Sequence, residues 1–297
     1  MEQFKRIAEQ IFSDEEYGRQ MRFIAGPRQC GKTTMVKNFL EVKSSERTYY
    51  SWDKTETRTR YAHNHNFFLE DISKFSIKKP WLCFDEIHKV HNWKNLLKEV
   101  FDEHENKIHF LVTGSARLDL FRRSGDSLAG RYLLFHLFPF NLAEVTGKHK
   151  LIQPDECPIT FMHSRLDYKA SDDKQNLFGD LLKWGPFPEP FLTGTVKFLN
   201  KWQVTYTEKI IYEDLRDISQ VRDLEKVAML VEMLPDCVSA PISINSLAKR
   251  LEVNFATAKN YLKYLELAYL VFHVKPYSKN LERSFKKEFK TYFFDWT

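Results

Sequence analysis

The chain has 297 residues, of which 43% are hydrophobic, and its formal net charge is +5. This length allows two or three domains, and the hydrophobic fraction is sufficient for ordinary packed cores. No segment is repetitive or rich in Gly and Ser, no apolar run reaches the roughly 20 residues of a membrane span, and the N-terminus lacks the apolar core of a signal peptide. We therefore expect a cytoplasmic protein made of compact domains, without membrane contact.

The first motif lies between a short apolar run and an amphipathic segment. Residues 20–25 (QMRFIA) predict a buried strand, and residues 33–42 (TTMVKNFLEV) place their apolar side chains on one helical face. Between them, GPRQCGKTT completes the G-x-x-x-x-G-K-[ST] pattern, whose glycines let backbone N–H groups point at phosphate oxygens. The new helix adds the positive end of its dipole. The predicted nucleotide-binding residues are Gly26, Pro27, Arg28, Gln29, Cys30, Gly31, Lys32, Thr33 and Thr34.

Four side chains of two motifs have specific predicted roles. Lys32 is expected to reach the β and γ phosphates, and the Thr33 hydroxyl to ligate Mg²⁺. The apolar run at residues 81–84 (WLCF) predicts a second buried strand, which ends at Asp85 and Glu86. Because parallel sheets place ligands beyond the carboxyl ends of their strands, Asp85 is predicted to lie beside the loop as the second magnesium residue. Glu86 is then placed to orient and deprotonate water.

Three further apolar runs predict the rest of a sheet. Residues 107–117 (KIHFLVTGSAR) contain a strand followed by Ser115, which is either a sensor of the γ phosphate or an ordinary turn serine. Residues 47–53 and 131–140 supply two more strands. Five strands with intervening helices predict a parallel α/β P-loop NTPase domain over residues 1–145. The chain has no N-K-x-D sequence, so ATP is favoured over GTP as the cofactor.

The C-terminal third has the pattern of a winged helix. Residues 242–277 predict a short helix, a tight turn, a second helix and a strand. Residues 241–290 hold ten Lys or Arg against four Glu, and a basic stripe of this kind suits a polyanion such as DNA. A role as a protein-binding or lid module is the alternative. The residues predicted to contact DNA are Asn254, Thr257, Lys259, Asn260 and Lys263.

Taken together, these motifs resemble a known family. It consists of bacterial and archaeal AAA-like P-loop ATPases in which a winged helix and a nuclease-like domain of unknown function follow the ATPase domain. The matching stretches are GPRQCGKTT, FDEIHKVHNWKNLLKEVFD, LVTGSARLDLFRR, SLAGRYLLFHLFPFNLAE, WGPFPEPFL and YEDLRDIS. The resemblance implies an AAA-type strand order and a nucleotide site close to a subunit or domain interface, which would be compatible with a homo-oligomer.

The resemblance also implies an arginine that neutralises charge in the transition state. Arg131 is the favoured residue, and the alternatives are Arg117, Arg122 and Arg123. Four segments are expected along the chain, and the last is the start of a truncated C-terminal domain. They are the ATPase domain at 1–145, a helical lid or linker at 146–217, the winged helix at 218–280 and the truncated domain at 281–297.

The predicted function is that of an AAA-like ATPase. It binds and hydrolyses Mg-ATP and couples hydrolysis to movement of a winged helix that contacts DNA. The alternative is a regulatory or protein-binding module that is switched by ATP occupancy and turns over little. The two differ in whether phosphate is released and in whether Glu86 matters for its release.

Overall fold

A five-stranded parallel sheet organises the first half of the chain. The computed structural model describes residues 4–75, 77–114, 128–147, 157–163, 171–218, 221, 223–277 and 287–297. The strands are β1 Met21–Ala25, β2 Tyr49–Ser51, β3 Trp81–Asp85, β4 His109–Thr113 and β5 Tyr132–His136, in the order β2-β3-β4-β1-β5. Every neighbouring pair in this sheet is parallel, so all five carboxyl ends lie at one edge. The predicted α/β class and its five strands are confirmed.

Helices cover the sheet and make up most of the second half. The α-helices within the described ranges are α1 Ile7–Phe12, α2 Lys32–Val42, α3 Thr55–His63, α4 Phe68–Ile72, α5 Trp93–His104, α6 Leu142–Val145, α7 Pro158–His163, α8 Asp172–Trp184, α9 Pro188–Thr193, α10 Val196–Lys209, α11 Leu215–Ile218, α12 Leu224–Met233, α13 Ile244–Arg250 and α14 Phe255–Leu267. A π-helical stretch, Ile210–Asp214, joins α10 to α11. Among these elements no helix is both long and apolar enough to cross a membrane.

Alternating side chains of the central strands feed two hydrophobic cores. Ile24 and Leu111 belong to the core that contains α2, whereas Phe23 and Val112 belong to the core that contains α5. This alternation follows from the two-residue period of a strand, and burial on both faces explains why β1 and β3 are almost continuously apolar. On α2 the apolar face predicted from the sequence is buried, as is expected for a helix packed on the sheet: Met35, Val36, Phe39 and Leu40.

The C-terminal part contains two packed helices and an antiparallel pair of strands. The buried side chains of α13 and α14 are those that the sequence pattern indicates, including Leu247, Leu251 and Leu262. Strand β6, Val271–Val274, pairs with β7, Lys290–Phe293. The domain boundary at residue 281 stays a prediction, although β7, which lies beyond it, pairs with β6 of the preceding segment. The sequence reading missed this because β6 and β7 are separated by 15 residues.

The predicted helical linker and the C-terminal helices share a hydrophobic core with the sheet and α2. One cluster of buried residues includes Cys30 of the loop, Met35 of α2, Trp202 and Ile210 of the linker region, and Leu262 of α14. Since burial of apolar surface favours keeping these elements together, the boundary expected at 145 is not a gap between independent cores. The sheet edge that carries the loop is instead packed against the second half of the chain.

Candidate active site

The loop between β1 and α2 depends on its glycines. A Cβ at Gly26 would lie 2.0 Å from the carbonyl oxygen of Leu137, which excludes any side chain there. Gly31 has φ 95° and is the N-cap residue of α2. Because glycine has no side chain, it makes no capping hydrogen bond to the N–H groups in the first turn of α2. Gln29 also has positive φ, at 60°. The backbone thus forms the curled loop that phosphate binding requires.

The Lys32 side chain folds across the loop. Its ammonium Nζ donates to the carbonyl oxygens of Gly26 at 2.9 Å and Pro27 at 2.6 Å, and the residue is buried. Buried cations need such partners, because the charged form is costly to remove from water. The ammonium is therefore held inside the loop by backbone carbonyls and is in place to contact an anion bound there.

Asp85 is the centre of a hydrogen-bond network at the end of β3. The Thr33 hydroxyl Oγ1 lies 3.4 Å from its Oδ2 atom, the Tyr49 hydroxyl also donates to Oδ2, and the Thr113 hydroxyl donates to Oδ1. Burial, followed by the charge of Asp85, raises the pKa of Tyr49, so that this hydroxyl stays protonated and donates. The structure brings the predicted pair Thr33 and Asp85 together, whereas Tyr49 and Thr113 were not expected from the sequence.

Glu86 is held in an uncommon backbone conformation beside Asp85. Its φ is 57°, and its N–H donates to the carbonyl oxygen of Thr113 at 3.0 Å. Burial, and after it the charge of Asp85, raises the pKa of Glu86 to about 7. Its Oε2 lies 3.4 Å from Nε2 of His88. A carboxyl group with a pKa near neutrality is suited to accept a proton from water.

Arg6 supports the loop from the N-terminal segment. Its guanidinium donates to Cys30 O at 2.8 Å, to the carbonyl oxygen of Phe138, and to Glu144 Oε1 at 3.1 Å. The side chains of both Arg6 and Glu144 are almost completely buried. Glu144 also accepts from the N–H of Ile7 and takes part in the capping box at the start of α6. The sequence around residue 6 contains no motif that predicts a role for Arg6 in supporting the loop.

Arg28 connects the loop to the second half of the chain. Its Nη2 and Nε atoms contact Asp214 Oδ1 at 2.7 Å and Oδ2 at 3.2 Å, and Nη1 lies 2.9 Å from Glu213 Oε2. Both acids belong to the π-helical stretch and to the YEDLRDIS segment of the sequence. Two stretches that resemble the same family thus meet in one ion-pair cluster.

Arg131 lies far from this loop. It precedes β5, and its backbone oxygen accepts from Met21 N at the start of β1, so it occupies the amino edge of the sheet. Its guanidinium forms a bidentate pair with Asp102, at 2.6 and 2.9 Å. Within its own chain Arg131 therefore lies at the sheet edge opposite the loop, and its predicted role in the transition state stays a prediction. Ser115, Arg117, Arg122 and Arg123 lie outside the described residues.

The residues predicted to contact DNA lie at and after the start of α14. Lys259, Asn260 and Lys263 are exposed and share one face of the helix, while Thr257 is partly buried. Asn254 has a different task, because its Oδ1 accepts from Thr257 N at 2.8 Å and caps the helix. The face available to a partner therefore carries two cations and one amide.

The residues at the sheet edge fit a magnesium nucleotide. A loop of backbone N–H groups and the Lys32 ammonium suit phosphates, and the Thr33 hydroxyl with the Asp85 carboxylate suits a hard cation with oxygen ligands. Gly26, Pro27, Gln29, Cys30 and Gly31 form the loop itself. Thr34 lies in the first turn of α2. Cys30 is completely buried, with Sγ 3.3 Å from Leu137 O, so its side chain faces the protein core.

Two family models match the chain. Residues 18–146 match the model described as "AAA domain", and residues 175–296 match one described as "Domain of unknown function (DUF8612)". The first match covers the sheet and the loop, and the second covers the π-helical stretch that contacts Arg28. The second match also continues across residue 281, as does the pairing of β6 with β7.

Relatives of similar sequence come from archaea and bacteria. An uncharacterized protein of Methanocaldococcus jannaschii is 27% identical over 87% of this chain and 57% of its own length. Uncharacterized proteins of Haemophilus influenzae and Mycobacterium tuberculosis are 20% and 23% identical, over 90% and 92% of this chain. This chain spans 64% and 53% of those two relatives.

The solved structures that match this chain include two proteins with low sequence identity and low TM-scores. The Aeropyrum pernix ORC1 protein in complex with DNA has 11% identity and a TM-score of 0.34, and the alignment covers 97% of this chain and 88% of that one. AMPPCP-bound DnaA from Aquifex aeolicus has 11% identity and a TM-score of 0.35, with 88% and 86% covered. The parallel sheet, the glycine loop and the match to the AAA-domain model together show an α/β fold of the P-loop NTPase type over residues 18–146.

Proposed function

We propose that this chain binds and hydrolyses Mg-ATP at the carboxyl edge of its sheet. The observation that carries the proposal is the convergence of the Lys32 ammonium, the Thr33 hydroxyl and the Asp85 carboxylate around the loop. Lys32 and the loop N–H groups bind the polyphosphate, and Thr33 and Asp85 hold Mg²⁺. When bound, the cation neutralises charge on the phosphate oxygens.

In this proposal Glu86 acts on the attacking water. Its carboxylate accepts a proton from the water, while Tyr49 and Thr113 keep the neighbouring Asp85 in one orientation through their hydroxyl groups. A pKa of about 7 leaves Glu86 partly ionised at neutral pH, which suits a general base. The rival function is an ATP-occupancy switch with little turnover, in which the same residues bind nucleotide but Glu86 has no kinetic role.

Replacing Lys32 tests the binding half of the proposal. Lys32→Ala is expected to weaken ATP affinity by roughly 10- to 100-fold, because hydrogen bonds to a charged group contribute about 1.5–3 kcal/mol. The measurements are titration calorimetry with ATP and release of inorganic phosphate from Mg-ATP. Lys98→Ala, an exposed change on α5, is the control and should leave both unchanged. Equal ATP affinity in wild type and Lys32→Ala would contradict the assignment of this loop.

We also propose that α14 contacts DNA, supported by the exposed stripe of Lys259, Asn260 and Lys263. The double variant Lys259→Ala/Lys263→Ala is expected to bind duplex DNA more weakly. For this variant, the slope of the logarithm of DNA affinity against the logarithm of salt concentration should be smaller in magnitude by roughly 2. Each lost contact with a phosphate reduces that slope by about 1. Lys201→Ala on α10 is the matched control. Absence of binding by wild type at both roughly 50 and 200 mM salt would favour a protein partner instead.

A further inference from the structure

The Arg28 cluster is an ion-pair clamp between the nucleotide loop and the helices of the second half. One guanidinium is shared by two carboxylates, with Asp214 bound through two nitrogen atoms and Glu213 through a third. Asp214 is 13% exposed, whereas Arg28 is 35% and Glu213 56% exposed. The cluster is thus accessible on the side of Glu213 and sheltered on the side of Asp214, so a soluble anion can approach the guanidinium.

The acidic side of the clamp is firmly attached to the second half of the chain. Glu213 and Asp214 follow Ile210 and Ile211, both of which are buried, and Ile210 belongs to the core shared by α12 and α14. These four residues belong to a π-helical stretch between two α-helices, and π-helical turns occur often at functional positions. A change at Asp214 is therefore transmitted to packed helices rather than to a loose loop.

The basic side of the clamp belongs to the loop that binds phosphate. Arg28 lies between Gly26 and Gly31, four positions before Lys32, whose ammonium is buried. The planar guanidinium binds carboxylates and phosphates through the same forked geometry, so the two kinds of anion are alternative partners. A polyphosphate in the loop would bring several negative charges next to a cation that already contacts two carboxylates.

We propose that Arg28 exchanges partners, from the Glu213 and Asp214 carboxylates to the nucleotide polyphosphate. This inference rests on the proposed function, because it requires nucleotide in the loop. Exchange breaks the ion pairs that join the π-helical stretch to the loop. Linkage makes the effect reciprocal: nucleotide weakens the clamp, and the clamp weakens nucleotide binding by the same factor.

Titration calorimetry with ADP on the full chain tests this exchange. The variant Glu213→Gln/Asp214→Asn is expected to bind ADP about fivefold more tightly or better, the lower end of measured coupling between sites. Arg28→Ala should bind ADP more weakly. Adding the two acid substitutions to Arg28→Ala should then change nothing further, because the guanidinium for which they compete is gone. Glu208→Gln, an exposed acid on α10, controls for the general effect of removing a negative charge.

Three outcomes would overturn the inference. In the first, Glu213→Gln/Asp214→Asn binds ADP no more tightly than wild type. In the second, Glu208→Gln increases the ADP affinity as much as the double acid variant does. In the third, the two acid substitutions increase the ADP affinity as much in Arg28→Ala as in wild type. The proposed function stands in each case, provided that Lys32→Ala still weakens binding. Failure of wild type to bind ADP or ATP would remove both.

Hydrogen exchange on the wild-type protein gives an independent readout that needs no variant. With ADP bound, the amides of Ile210–Asp214 are expected to exchange faster than in the free protein. If ADP binds and these amides exchange at the same rate or more slowly, the clamp is not released, and Arg28 serves only to hold the two halves of the chain together.

Discussion

Glu86→Gln is expected to lower the rate of ATP hydrolysis by at least about 100-fold, which is the lower end of the contribution of general-base catalysis. The amide is almost isosteric with the carboxylate but cannot accept the proton of water. Nucleotide affinity should stay the same or increase, because the substitution removes a negative charge that lies beside Asp85. Single-turnover phosphate release and ADP titration on the same preparation measure the two quantities separately.

The control for this prediction is Glu41→Gln, an exposed change near the end of α2. It should leave both hydrolysis and binding as in wild type. If wild type releases phosphate and Glu86→Gln releases it equally fast, another group activates the water and the role given to Glu86 is wrong. If neither releases phosphate above background while both bind ATP, the occupancy-switch function is the correct one.

Arg6→Ala is expected to destabilise the fold by about 3–5 kcal/mol, the usual effect of removing one partner of a buried ion pair. Glu144 would remain buried without its cation, and the carbonyl oxygens of Cys30 and Phe138 would lose their donor. Urea unfolding followed by circular dichroism measures the change. ADP affinity measured on the still-folded variant should also fall, since the Cys30 carbonyl is part of the loop.

Arg19→Ala is the matched control, because Arg19 pairs with Glu105 at the surface. Exposed ion pairs of this kind contribute about 0–1 kcal/mol to the free energy of unfolding. The double variant Arg6→Ala/Glu144→Gln should lose less stability than the sum of the single changes, because it leaves no unpaired buried charge. If Arg6→Ala lowers the free energy of unfolding no more than Arg19→Ala does, Arg6 does not hold the loop through its ion pair with Glu144.

The local sequence pattern was sufficient to predict much of the structure of the candidate nucleotide site. The glycine spacing, the apolar run before Asp85 and the helical face after Thr33 each depend on residues that are close in sequence. Their physical origin is backbone geometry: glycine where a Cβ would collide, and two-residue or 3.6-residue periods where one face is buried. The loop, the strand before Asp85 and helix α2 were therefore correctly predicted.

Partners that are distant in sequence could not be read from pattern. Arg6 looked like any charged residue of an amphipathic segment, yet it pairs with Glu144 across the chain. Arg131 stood in a stretch that resembles the family, but its place before β5 puts it at the opposite edge of the sheet. Which arginine reaches the nucleotide depends on strand direction and strand order.

The connection between the two halves of the chain was decided by tertiary structure alone. Amphipathic periods specify that a helix has a buried face, but they do not specify which surface covers that face. The packing of α10, α12 and α14 beside the loop brings Asp214 to Arg28, 186 positions away in sequence. Burial of apolar side chains in a common core provides the free energy for that arrangement, and the ion pairs at its edge fix where the loop and the helices meet.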